Sequence, residues 1–220
     1  MRHRISATTV VALCAVCALP VLCACALLSK ADVVEVRYFS PEQARPQMSS
    51  EDPTVGSPSV PSNGPLRLRL GRVTSGRNLR ERIAYRDAAY ELGYYQDLRW
   101  TEHPETYVRR ALGRSLFEEH GFHRVLSGTA PTLDVEVIAF DDLRLETVRA
   151  ARIQLMILLY EDSGVIFEDT LTIDRPVAGE DPEIEGVVAA MATALDAAVD
   201  QVASRVQRAL ASGRSASSGP

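Results

Sequence analysis

The sequence predicts a single α/β domain in which two main helices pack on a mixed β-sheet. Three observations predict it. Short stretches alternate apolar and polar residues, as strands with one buried face do. Two longer stretches instead repeat their apolar residues at helical spacing. The two kinds of element are interleaved, in the order strand, long loop, strands, helix, strands, hairpin, helix.

Each element has its own warrant. Residues 33–39 read as the first strand, with Val34, Val36 and Tyr38 at period two. Residues 41–65 hold six of the twelve prolines among serines and glycines and keep no periodicity, so they read as a long flexible loop within one sheet. Leu66-Arg67-Leu68-Arg69-Leu70 alternates cleanly, giving a strand with one buried and one solvated face. Short strands follow around Ile83-Ala84-Tyr85 and Tyr94-Tyr95. Residues 103–120 read as a helix, with Pro104 in its first turn, Gly121 ending it, and Val108, Ala111, Leu112 and Leu116 as its apolar stripe. Residues 133–140 and 151–160 read as strands, the second apolar on both faces over 155–159 and therefore central. Glu161-Asp162-Ser163-Gly164 turns it back into residues 166–173 as a hairpin. The last element is a helix capped by Asp181, with Pro182 at its first position and Glu183 and Glu185 complementing its dipole. Val188, Met191, Leu195, Val199, Val202, Val206 and Leu210 give it one apolar face, and residues 212–220 read as a frayed tail.

The chain has 220 residues, 46% hydrophobic and 24% charged, which excludes collagen, a coiled coil, a polytopic membrane protein and a fully disordered chain. A net charge of −5 argues against a nucleic-acid binder, which needs clustered surplus cation. All four cysteines, Cys14, Cys17, Cys23 and Cys25, lie near the N-terminus. Beyond Cys25 there is therefore no disulfide, no cysteine metal site and no catalytic thiol.

That clustering marks the N-terminus as a targeting segment. Arg2, His3 and Arg4 form a basic start, and residues 5–28 carry no charge, as in a secretory signal peptide. The stretch ends in Leu22-Cys23-Ala24-Cys25, the pattern of a bacterial lipobox. Cys25 is then the lipid-attachment residue and 1–24 the cleaved signal. The other cysteines follow Leu or Val, which are too large for the cleavage position. An uncleaved anchor is the alternative, because the 24 uncharged residues of 5–28 would span a bilayer as a helix. Either way the body lies outside the cytoplasm. Ala26, not Asp, follows Cys25, which by analogy with retention rules places the lipid in the outer membrane, facing the periplasm. Inner-membrane anchoring is the alternative.

No catalytic constellation is found, so the chain reads as non-enzymatic, with no cofactor and no metal. His120-Gly121-Phe122-His123 reads as a helix C-terminal histidine favoured by the dipole, since no third ligand lies nearby in sequence. Ser115 lacks the second glycine of a nucleophile elbow, and there is no phosphate loop or dinucleotide fingerprint. Asp141-Asp142 read as loop charges.

What remains is surface. Tyr85, Tyr90, Tyr94, Tyr95 and Tyr107, with the single tryptophan Trp100, fall within 23 residues. Tyr94 and Tyr95 are adjacent, so one of them points outward from a strand. Tyr94, Tyr95 and Trp100 are therefore candidate partner-binding residues, with core packing as the competing reading. Charge is segregated as well: residues 66–126 hold twelve arginines against eight acids, and 127–200 hold four against sixteen. Such a dipolar molecule orients against a partner or stacks on copies of itself; simple solvation of both faces accounts for the pattern equally.

The ordered set of elements resembles the ABC-type transport auxiliary lipoproteins, periplasmic partners of lipid-transport systems built on MCE proteins. The resemblance rests on Cys25, Tyr38-Phe39-Ser40-Pro41, Leu68-Arg69-Leu70-Gly71-Arg72-Val73, Arg82-Ile83-Ala84-Tyr85-Arg86 and Tyr94-Tyr95 with Trp100. It continues through Val108 and Leu112, Leu133-Asp134-Val135-Glu136-Val137, and Asp181-Pro182 with Val187 and Ala190. Ser75-Gly76 departs from the proline that many members have there, and the Pro/Ser loop is unusually long. The resemblance implies one domain over residues 25–211, an anticodon-binding-domain-like α/β sandwich whose mixed sheet has about five strands. It also implies a non-catalytic lipid-anchored accessory that binds its MCE partner and tethers it to the outer membrane. The alternative is an outer-membrane assembly or pilotin-like lipoprotein of a secretion system.

Overall fold

A computed structural model of the protein describes residues 34–42, 65–88, 90–146, 148–179 and 183–217. The signal segment, Cys25, most of the Pro/Ser loop and the Asp181-Pro182 cap lie outside the described residues. Along the chain run β1 (Arg37–Phe39), β2 (Arg67–Ser75), β3 (Arg82–Ala88), β4 (Glu91–Trp100) and α1 (Pro104–Arg114), which continues into one π turn, Ser115–Glu119. Then come β5 (His123–Arg124), β6 (Thr132–Leu145), β7 (Val148–Glu161), β8 (Gly164–Pro176) and α2 (Ile184–Ser217).

The organising strand is β6. One of its edges pairs antiparallel with β7 over its full length, and β7 pairs antiparallel with β8. Its other edge is shared: β2 lies parallel along the first half, with Val73 opposite Val135, and β3 lies parallel along the second, with Ala84 opposite Asp141. β2 and β3 thus act as two segments of one interrupted strand. The turn between them buries Leu79, whose N–H donates to the Gly76 carbonyl at 2.9 Å. Beyond β3, the antiparallel β4 and the parallel β1 complete that side, and β5 borders β2.

The sheet is mixed, as the sequence predicts, but among the described residues it has eight strands rather than about five. Three differences have physical causes. β5 spans only two residues, too short to show a period. β4 runs from Glu91 to Trp100, far beyond the Tyr94-Tyr95 pair, because a register shift breaks its alternation. β6 continues through Asp141 and Asp142, which breaks the apolar pattern without breaking the ladder.

Both helices cover one face of the sheet. On β7, Ala151, Ile153, Leu155, Ile157 and Leu159 are buried, while the residues between them are only partly so. Strand alternation turns the buried set toward the helices. Val108, Ala111, Leu112 and Leu116 of α1 and its π turn meet them, as do Val187, Met191, Leu195, Val199, Val202 and Val206 of α2. Burying each such large side chain contributes roughly 1.5–3 kcal/mol, so this single layer carries most of the stability. α2 is long and apolar enough to cross a membrane by composition, yet its apolar stripe is the face packed on β7 and β8.

Two boundaries are corrected. The first strand begins at Arg37, not residue 33. Residues 212–217 are helical rather than frayed, since α2 runs to Ser217; extending a formed helix adds one bond per residue fixed, and the Ser212 hydroxyl donates to the Arg208 carbonyl at 2.9 Å.

Candidate functional surface

Trp100 belongs to the core, which corrects the expectation that it faces a partner. Its side chain is 1% exposed, edge-on to Phe140 with ring centroids at 5.3 Å and to Tyr107 at 6.4 Å. α1 begins four residues later and folds back over it, bringing Tyr107 against the indole. The Tyr107 hydroxyl is satisfied there, 2.7 Å from Thr101 Oγ1 and accepting the Glu102 N–H at 2.9 Å.

Tyr94 and Tyr95 divide as the alternation predicts. Tyr95 turns inward, packs against the core and donates to Asp142 Oδ2 at 2.6 Å. Asp142 is fully buried and also accepts from Arg149 Nη2 at 3.0 Å and Nε at 3.3 Å. On the opposite face the buried Asp141 accepts from Arg86 Nε at 2.6 Å. Arg144 lies 3.5 Å above the Tyr85 ring and pairs with Asp87 at 2.8 Å. The two aspartates are therefore not loop charges. They sit inside β6, and ionised carboxylates are retained at such positions when cations and hydroxyls surround them. Of the arginines near these strand ends, Arg86 and Arg149 reach the two buried acids, whereas Arg144 pairs with Asp87 and Arg152 with Asp174.

Burial pushes the Tyr95 phenol up to about 12 from 10.0, and the Asp142 hydrogen bond and charge add to the rise against the pull of Arg144 and Arg149. The folded state thus holds the phenolic proton more tightly than the unfolded chain. Its contribution to stability is complete below pH 10 and is lost as the pH rises through about 12. Denaturant midpoints at pH 9 and pH 11.5 should fall apart in the wild type and converge in Tyr95→Phe. An equal fall in both proteins would remove Tyr95 as the cause.

Tyr94 faces the other way. Its hydroxyl donates to the Asn78 carbonyl at 3.0 Å, and its ring lines a shallow cavity of about 370 Å³ with Arg77, Arg80, Arg82, Arg99 and His103. Arg82 stands directly opposite Arg99 across β3 and β4, a like-charge pair that costs a sheet stability. Tyr38, 64% exposed, is the β1 neighbour of Arg99. None of these four arginines has a carboxylate partner among the described residues: Arg99 Nη1 donates to the carbonyls of Leu98 and Tyr95, and Arg80 Nε to that of Arg77. Glu81 is the acid lining this cavity, and it lies 3.8 Å from His103. The arrangement presents aromatic area amid positive potential, which attracts an acidic surface.

The histidines are dispersed. His103 lies between Glu81 and Glu105, His120 Nε2 is 2.9 Å from Asp200, and His123 is exposed on β5. Among the described residues no group of three or more His, Cys, Asp or Glu side chains could hold a metal ion. Cys25 lies outside the described residues.

Comparison with solved structures gives the fold a precedent. A protein from Xanthomonas campestris superposes with a TM-score of 0.60 at 24% identity, over 74% of this chain and 94% of its own. A second protein of uncharacterised function superposes at 0.55 with 17% identity, over 64% of this chain and 94% of its own. No curated protein matches the sequence. The profile of the family described as the ABC-type transport auxiliary lipoprotein component matches residues 48–203, which span the sheet from β2 onward, α1, α2 as far as residue 203 and the Tyr94 cavity. The chain therefore belongs to the ABC-type transport auxiliary lipoprotein family.

Proposed function

We propose that the protein is a non-catalytic, lipid-anchored periplasmic accessory of an ABC/MCE-type envelope lipid transport system. In this reading it is anchored through Cys25 in the outer membrane, and its body binds the MCE partner and tethers it there. The observation that carries the reading is the Tyr94 face. Four arginines without carboxylate partners among the described residues surround an outward aromatic on the body of a transport auxiliary lipoprotein. Such a face fits an acidic, partly apolar protein surface better than a small substrate, since the cavity is shallow and holds no catalytic cluster. Cys25 precedes β1 by twelve residues, which reach at most about 43 Å when extended. The body then stays near its membrane, and reach across the envelope comes from the partner.

Two experiments test it. Cys25→Ala should abolish incorporation of labelled palmitate and leave the precursor in the inner membrane; unchanged labelling would move the attachment elsewhere. Tyr94→Ala combined with Arg99→Gln should weaken co-purification with the MCE partner by about 30-fold or more, the scale of losing an interface hot spot. Undiminished binding by the folded variant would transfer the interface to the acidic faces of β8 and α2.

A further inference from the structure

A second cationic site lies between β2, β5 and α1, and it shares no arginine with the Tyr94 face. It is a groove of about 580 Å³ lined by Arg69, Arg109, Arg110, Arg114 and Arg124, with Glu118 as the acid among its described lining residues. In a chain of net charge −5 this is a pronounced local surplus. Arg110 and Arg114, neighbours at i and i+4 on α1, repel each other, and Glu42 and Glu102 offset them. The other three have no carboxylate partner among the described residues.

Those three are held by groups that leave their charge intact. Arg109 Nη1 donates to the Gly71 carbonyl at 2.8 Å, Arg69 Nη2 donates to the Gly128 carbonyl, and Arg124 stacks 4.2 Å above the Phe117 ring. Arg69 Nε is buried with no hydrogen-bond partner. A guanidinium carries five N–H donors in a fixed fork, so most of them remain open to an anion held in this cradle. Fixed forks of this kind match the tetrahedral oxygens of a phosphate.

The lining also includes apolar side chains. Leu70, Val125 and Leu126 line it, and Leu126 is 86% exposed. A leucine so exposed beside unpaired arginines matches an amphiphile, in which a charged head adjoins an apolar chain. We propose that this groove binds a phosphate ester of a lipid, with Arg69, Arg109 and Arg124 holding the phosphate and Leu126 contacting the acyl chain. The assignment does not depend on the Tyr94 face or on any protein partner.

The test is calorimetric titration of the full chain in uncharged detergent. Three probes are compared: inorganic phosphate, short-chain dihexanoyl phosphatidic acid, and dihexanoylglycerol, which lacks the phosphate. Wild type should bind the phosphatidic acid at least about tenfold more tightly than either other probe, since chain burial and charge-assisted bonds each add to affinity. Arg69→Gln with Arg124→Gln should weaken it by at least about tenfold, and Leu126→Ser should weaken the lipid while leaving phosphate unchanged. Leu126→Ser alters an exposed side chain, so it remains informative if the arginine variant misfolds. Equal binding of phosphate and phosphatidic acid, with no effect of Leu126→Ser, would make the ligand a free phosphate and overturn the lipid assignment. Equal binding of dihexanoylglycerol, or arginine variants that bind as wild type, would overturn the site.

Discussion

Asp142→Ala should lower the melting temperature by about 10 °C, the largest effect expected of any single polar substitution in this protein. The carboxylate is fully buried and receives both Arg149 and the Tyr95 hydroxyl. Its removal strands a guanidinium and a phenol at the end of the sheet, and breaking such a buried pair costs about 3–5 kcal/mol. Arg149 retains 28% of its side-chain exposure, so water recovers part of that loss and about 3 kcal/mol is the better figure. At this chain length each kcal/mol corresponds to roughly 2–4 °C. The cause can be separated from simple truncation. Asp142→Leu with Arg149→Met and Tyr95→Phe replaces the whole set with apolar groups and should recover more than half of the lost stability. Additive losses in the triple variant would show that packing around Asp142 matters more than its pairing.

Trp100→Ala should be comparably destabilising, by about 3–5 kcal/mol, because it empties the space enclosed by Phe140, Tyr107 and β4. Trp100→Phe keeps an aromatic there and should cost less than half as much. Since Trp100 is the only tryptophan, its emission reports on the same site: blue-shifted when folded and moving to the red in step with the unfolding transition. Tyr94→Ala should change stability by less than about 1 kcal/mol, because its ring leaves the surface without opening a cavity. A partner-binding loss in Trp100→Phe at unchanged stability would return the indole to the interface.

The two residues show what the sequence makes legible. The order of elements and the apolar stripes of both helices follow from period, since burial on one face demands that period, and the central position of β7 follows from its apolar run over 155–159. The opposite faces of Tyr94 and Tyr95 follow as well, from alternation. Trp100 was illegible because its burial depends on α1 returning over the end of β4, a tertiary fact with no local signature. Asp141 and Asp142 were illegible for a different reason. Aspartate disfavours strands on its own, and it takes arginines brought across from β3 and β7, with the Tyr95 hydroxyl from β4, to hold these two inside β6. The arginine groove is likewise assembled from β2, α1 and β5, which are distant in sequence.

The central claim is that the face around Tyr94 docks the MCE partner. Site-specific photocrosslinking in living cells tests it most directly, with a photoreactive residue placed in turn at Tyr94, Tyr38 and Glu168. Positions 94 and 38 border the unpaired arginines, whereas Glu168 is exposed on the acidic strand β8. The account predicts adducts to the MCE protein from positions 94 and 38 and none from 168. Adducts from 168 alone would contradict it.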